Sequence, residues 1–98
     1  MASIEFAAGV ADDFERILDH LPEHGVAVAG SRVADIVAAI DALERNPRLG
    51  RPAGSFDREL VIGRKSRGYL ALYRYVEAID TVFVLAVRGQ SEAGYIER

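Results

Sequence analysis

A chain of 98 residues, half of them apolar, has room for one hydrophobic core and is too apolar to remain disordered. It has no cysteine, which excludes a disulfide framework and a Cys-ligated zinc site, and no apolar run approaches the roughly 20 residues of a membrane span. The net charge of −3 is split unevenly: residues 1–45 carry nine acidic and three basic side chains, residues 46–98 six and nine. The basic half suits an anionic partner, or else complements acidic helices.

The start, "MASIEFAAGVADDFERI", has no basic region and reaches Asp12 and Asp13 early, so no signal peptide is expected. With the lack of cysteine this fits a reducing cytoplasm. Ser3 to Phe6 reads as a short strand. Asp12 and Asp13 suit a helix N-terminus, and Phe14, Ile17, Leu18 and Leu21 follow as one apolar stripe until Pro22 and Gly25 end it. Val33, Ile36, Val37, Ile40 and Leu43 repeat the period. Ser31 is a plausible N-cap for this second helix, while Val26 and Ala29 keep phase for an earlier start. Asn46-Pro47 stops it.

From Arg48 the period changes. "LGRPAGS" is loop by its glycines and proline, "RELVI" (Arg58 to Ile62) a strand, and "GRKSRG" a basic turn bracketed by glycines. "YLALYRYV" (Tyr69 to Val76) is a tyrosine-rich strand, "EAID" a turn, and "TVFVLAV" (Thr81 to Val87) a strand apolar on both faces. The order β-α-α-β-β-β predicts one α+β domain over residues 1–98, an N-terminal αα-hairpin packed on a small antiparallel sheet.

Enzyme motifs are absent. His20 and His24 flank the first helix end, where they complement the helix dipole, and no third residue at a recognisable spacing completes a metal site. "GVAVAGS" spaces its glycines like a phosphate loop but has neither the lysine nor a leading strand. The acids scatter as solvated faces. What remains is basic and aromatic: Arg64, Lys65, Arg67, Tyr69, Tyr73, Arg74, Tyr75, Arg88 and Tyr95. Such a set holds phosphates, stacks on bases or makes interface hot spots. Alternatively, Tyr69, Tyr73 and Tyr75 share one strand face and pack on the helices with only their hydroxyls wet. Tyr95, outside the regular elements, is least explained by packing.

"NPRLGRP", "RELVI", "GYLALYRY", "VFVLAVR" and "EAGY", in this order behind an αα-hairpin, resemble the ParE/RelE superfamily of type II toxin–antitoxin toxins, the ParE branch most closely. The likeness spans nearly the whole chain. It implies a bacterial cytoplasmic toxin without cofactor or metal, held in a hetero-oligomer by a cognate ParD-like antitoxin, with DNA gyrase as target. It implies neither membrane association nor sequence-specific nucleic-acid binding. The expected antitoxin surface is Leu18, Leu21, Leu60 and Ile62, across the hairpin and the adjoining sheet edge. The expected target surface is Arg64, Lys65, Arg67, Arg74, Arg88 and Tyr95.

RelE toxins instead cut mRNA in the ribosomal A site, and here Lys65, Arg88 and Tyr95 would be the matching catalytic set. Behind Gly68-Tyr69, however, stands Leu70, where that branch has an arginine; a leucine cannot hold a phosphate, which favours the non-enzymatic ParE reading. ParE-like chains often end in Arg-His-Gln-Arg-Glu-Ala-Gly-Tyr. This one reads Arg88-Gly89-Gln90-Ser91-Glu92-Ala93-Gly94-Tyr95, so a third alternative is an inactive toxin that keeps only antitoxin binding.

Overall fold

Val10, Phe14 and Ile17 recur four and three residues apart, which gives helix α1 (Val10–Asp19) one apolar stripe, and all three pack on the core. The computed structural model describes residues 1–19, 26–63 and 68–96. Helix α2 spans Val26–Asp41 and tightens into a 3-10 turn at Ala42–Glu44. Ile36, Ile40 and Leu43 are wholly buried along it, as the second stripe requires. The helix takes the earlier of its two expected starts, so "GVAVAGS" is helical from its second residue and is no phosphate loop.

Among the described residues five strands form one sheet: β1 (Ser3–Phe6), β2 (Arg51–Ala53), β3 (Asp57–Ile62), β4 (Tyr69–Val76) and β5 (Thr81–Gly89), in the order β1-β5-β4-β3-β2. The meander from β2 to β5 is antiparallel, but β1 joins β5 in parallel, so the sheet is mixed. The helices and the meander between β1 and β5 supply the long connection a parallel pair needs. β2 replaces part of an expected loop. Its Pro52 sits on the sheet edge, where a missing N–H breaks no ladder.

The helices cover one face, meeting Leu60, Ile62, Ala71, Tyr73, Val82, Val84 and Val87 in a single core. Leu60 and Ile62 are each 7% exposed and belong to the core. Alternation along β3 turns Val61 outward in their place, 46% exposed.

Between Leu72/Tyr73 of β4 and their partners Ala86 and Val84 of β5 the register slips by one residue, with Leu85 as the inserted residue. Val82 and Val84 face the helices. Strict alternation would send Ala86 and Arg88 to the same side. The bulge instead gives the inner position to Val87 and turns Arg88 onto the opposite face.

The edge of β5 needs further help. Ala7 N–H donates to the Val84 carbonyl at 2.8 Å, and beyond that point no strand among the described residues pairs with this edge. Side chains of α1 take over. Val87 N–H donates to Asp13 Oδ2 at 2.9 Å, and Arg16 Nη2 donates to the Val87 carbonyl at 3.0 Å. Asp13 and Arg16 also pair at 2.8 Å, one helical turn apart. Asp13 is 0% exposed, which corrects its reading as a solvated first-turn acid.

Removing the Asp13 carboxylate leaves the buried Val87 N–H without its acceptor and takes one acceptor from the part-buried Arg16 guanidinium. Asp13→Ala is expected to lower the unfolding free energy by about 3 kcal/mol in a urea titration, and Asp13→Asn, which keeps one acceptor oxygen, by less. A loss under about 1 kcal/mol in the alanine variant would show that β5 does not depend on this clamp.

Candidate functional site

The sheet face turned away from the helices carries Glu59 on β3, Leu70, Leu72 and Arg74 on β4, and Arg88 on β5. After β5 the chain folds back, and the Tyr95 side chain bridges from Arg88 to Glu59 across β4. The Arg88 guanidinium lies over the Tyr95 ring, 5.0 Å from its centroid, and its Nη1 donates to the carbonyls of Glu92 (2.8 Å) and Gly89 (3.3 Å). Tyr95 Oη donates to Glu59 Oε2 at 2.6 Å. On the other oxygen, Glu59 Oε1 accepts from Arg51 Nη2 at 2.6 Å and from Arg51 Nε at 3.0 Å. A line of arginine, carboxylate, phenol and arginine thus runs from β2 to β5.

The near end of the tail is tied separately. Glu92 Oε2 accepts from Gly89 N–H at 2.6 Å, and Arg16 Nε donates to Glu92 Oε1 at 2.7 Å. Arg16 therefore serves both the β5 edge and the tail. Arg88 Nε and the Gln90 side-chain nitrogen are buried without a hydrogen-bond partner among the described residues.

Titration follows from this packing. Burial pushes the Glu59 carboxyl up, but the hydrogen bonds from Tyr95 and Arg51 more than offset it and hold the group below the usual carboxylate range. Burial, and then donation to Glu59, push the Tyr95 phenol well above the usual tyrosine range. Tyr95 thus keeps its proton and serves as a hydrogen-bond donor to Glu59.

Of the residues expected at a target surface, Arg88 and Tyr95 come together. Arg74 shares their face but lies further along β4, paired with Asp57 at 2.8 Å and 5.5 Å from the Phe56 ring centroid. Arg64, Lys65 and Arg67 lie outside the described residues, as do Leu21, His20 and His24. Leu18 is half-buried on α1. Tyr69, Tyr73 and Tyr75 pack on the core side. The Tyr73 hydroxyl is not wet: it accepts the Gly50 N–H at 2.8 Å. A Cβ at Gly50 would stand 2.7 Å from the Tyr73 ring and 2.9 Å from the Glu59 carbonyl, so only glycine permits this approach. Beside β1, Phe6, Val76, Phe83 and Leu85 line an open groove of about 800 Å³ on the outer side.

Glu59, Arg51, Glu92, Asp13 and Arg16 escaped the sequence reading. One signal was available: Asp57 and Glu59 are the only acids between Asn46 and Val76, amid seven basic residues. Both turn out to hold an arginine on the outer face. Among the described residues no cluster of three histidines or carboxylates could share a metal ion, and no helix is long and apolar enough to cross a membrane.

Residues 4–94 match the family described as the ParE toxin of the type II toxin–antitoxin system parDE. Among solved structures the fold is similar to a chain of the chromosomal ParDE TA system from P. aeruginosa. The identity is 26% and the TM-score 0.74, covering 91% of this chain and 96% of that one. It is also similar to the intact E. coli RelBE toxin–antitoxin complex, at 19% identity and TM-score 0.61, covering 94% and 99%. The isolated E. coli RelE toxin is similar at 14% identity and TM-score 0.63, covering 95% and 88%. These last two likenesses are of fold. No curated protein matches.

The Tyr95–Glu59 contact makes a pH signature. Because the folded-state pKa of Glu59 is depressed, its stabilising contribution is present above the ordinary carboxylate value and is lost as pH falls through the depressed one. At high pH, Tyr95 is expected to resist ionisation beyond the ordinary tyrosine value of about 10. In a near-ultraviolet phenolate titration, Glu59→Gln removes the repelling charge and lowers the midpoint of one tyrosine. An unchanged titration would show that Glu59 does not hold the phenol.

Proposed function

This chain belongs to the ParE toxin family of type II toxin–antitoxin systems, and from that premise we propose that it inhibits DNA gyrase by binding and is neutralised by a cognate ParD-like antitoxin. The observation that carries the binding mode is the state of Tyr95. RNA cleavage of the RelE kind needs a group to take the 2′-hydroxyl proton and several cations around the phosphate. Here the phenol is committed as a donor to Glu59. Leu70, the register partner of Arg88, is a buried apolar residue, 4% exposed, where a further cation would have to stand.

As a contact surface the same residues are well suited. An arginine on a rigid strand gives a permanent, directional charge, and a tyrosine held at both ends gives a large aromatic surface with little entropy left to lose. The partner reading is supported by the similarity to a chain of a ParDE system. With Leu60 and Ile62 in the core, apolar positions that stay accessible to an antitoxin include Leu18 on α1, Val61 on β3 and the groove beside β1. The gyrase contact falls on Arg88 and Tyr95, with Arg74 and the basic residues Arg64, Lys65 and Arg67 in supporting roles.

Supercoiling inhibition and accumulation of gyrase cleavage complexes by the purified protein test this directly. Arg88→Ala is expected to raise the inhibitory concentration at least about tenfold, the effect of losing one hot-spot side chain, while antitoxin affinity stays within about tenfold. Gly89→His with Ser91→Arg is expected to increase potency. Primer extension on translated mRNA is the counter-test. Cleavage at A-site codons, abolished in Arg88→Ala, would replace this reading with a ribosome-dependent endoribonuclease. Neither activity beside intact antitoxin binding would mark an inactive toxin.

A further inference from the structure

The guanidinium of Arg88 is oriented by three contacts, and all three come from the segment that follows it: the carbonyls of Gly89 and Glu92 and the ring of Tyr95. Its own Nε has no partner among the described residues. Arg88 therefore points where the tail places it. The tail in turn is fastened at two ends. Near β5, Glu92 accepts from Gly89 N–H and from Arg16. At the far end the hydrogen bond that fixes Tyr95 is its donation to Glu59, at 2.6 Å, from a residue 36 positions away in sequence.

Glu59 is well placed for that task. Its side chain is 13% exposed, it stands on a strand hydrogen-bonded on both sides, and Arg51 from β2 fixes its second oxygen. A phenol donating to a carboxylate makes a charge-assisted bond, roughly twice as strong as a neutral one. Without it the Tyr95 ring is free to turn about its side-chain torsions, and the cation above it loses a defined face.

We propose that Glu59 is a positioning residue of the target surface: by holding Tyr95 across β4, it sets the direction of Arg88 on β5. Its consequence for inhibition rests on the gyrase reading, but its geometry does not. Glu59 acts through Tyr95 and Arg88 and touches no target itself. It also differs from a structural ion pair, because the Arg51 end of the Arg51–Glu59 pair is 61% exposed and such a pair contributes little to stability alone.

The test separates the two. In the full chain labelled with ¹⁵N-arginine, the Arg88 side-chain resonance is expected to carry a ring-current displacement from Tyr95, whose ring centroid lies 5.0 Å away. Glu59→Ala and Tyr95→Phe are each expected to move it to the position of an exposed arginine. Glu59→Gln, which keeps the length and an acceptor oxygen, retains at least half of the displacement. In the supercoiling assay each of the first two variants raises the inhibitory concentration about tenfold, and the double variant raises it no further, because both cut the same link.

An Arg88 resonance unmoved in Glu59→Ala would overturn the proposal, as would losses that multiply in the double variant. A lower melting temperature with Arg88 unmoved would show a merely structural role. If Glu59→Ala does not fold, the resonance in Tyr95→Phe decides alone. If the wild type leaves gyrase untouched, the resonance still decides whether Glu59 aims Arg88, and only the target reading falls.

Discussion

Val87 has two backbone groups on the side of β5 that β1 leaves uncovered, and their hydrogen bonds to Asp13 and Arg16 hold the rest of the arrangement together. A strand edge inside a packed domain must find partners for its N–H and C=O groups or lose the corresponding free energy. β1 is too short to reach Val87. The chain leaves β1, turns into α1, and within its first turns presents a carboxylate and a guanidinium to the same edge. Two side chains thus complete a ladder that the backbone leaves unfinished. Because Arg16 also binds Glu92, the completion extends past the strand into the tail. Helix, strand and tail are fixed by one group of charges in which Arg16 is shared by two carboxylates, Asp13 and Glu92.

The bulge at Leu85 gives this anchoring its functional sense. A strand that kept strict alternation after Val84 would direct Arg88 into the apolar core, where an unpaired charge is prohibitively costly. Inserting one residue exchanges the faces, keeps a valine inside at position 87, and delivers the arginine to the open face. Asp13 and Arg16 grip β5 at Val87, two residues beyond the insertion. The clamp therefore fixes the register that the bulge creates, and with it the face on which Arg88 stands.

How far these features could be read in advance follows from the range of each interaction. The helical stripes, the tyrosine-rich strand and the final apolar strand are local patterns, and their periods identify them. β2 was hidden because Pro52 signals a loop unless the strand is known to lie at an edge. The parallel pairing of β1 was hidden because it joins the first strand to the last. Arg88 and Tyr95 were legible by type and position, seven residues apart near the chain end. Glu59 was not, since its role depends on a register across three strands and a tail that folds back over them. The facing of β3 was hidden for the same reason: alternation shows that Val61 opposes Leu60 and Ile62 but not which set faces the helices.

The departures at Gly89 and Ser91 can be weighed against this geometry. Gly89 meets Glu92 through its backbone, its N–H donating to the side chain and its carbonyl accepting the Glu92 N–H at 3.1 Å, contacts that any residue other than proline would make. A Cβ there would lie 3.6 Å from Glu92 Oε2 and 3.9 Å from Ser91 Oγ, ordinary contact distances, so the backbone does not demand glycine. Ser91 is exposed. The residues that hold the tail, Glu92, Tyr95, Arg16 and Glu59, are all in place. What the two exchanges remove is displayed side-chain chemistry, an imidazole and a second guanidinium, and not the frame that displays it. The frame is therefore in place, and among the described residues the cation that it holds is Arg88.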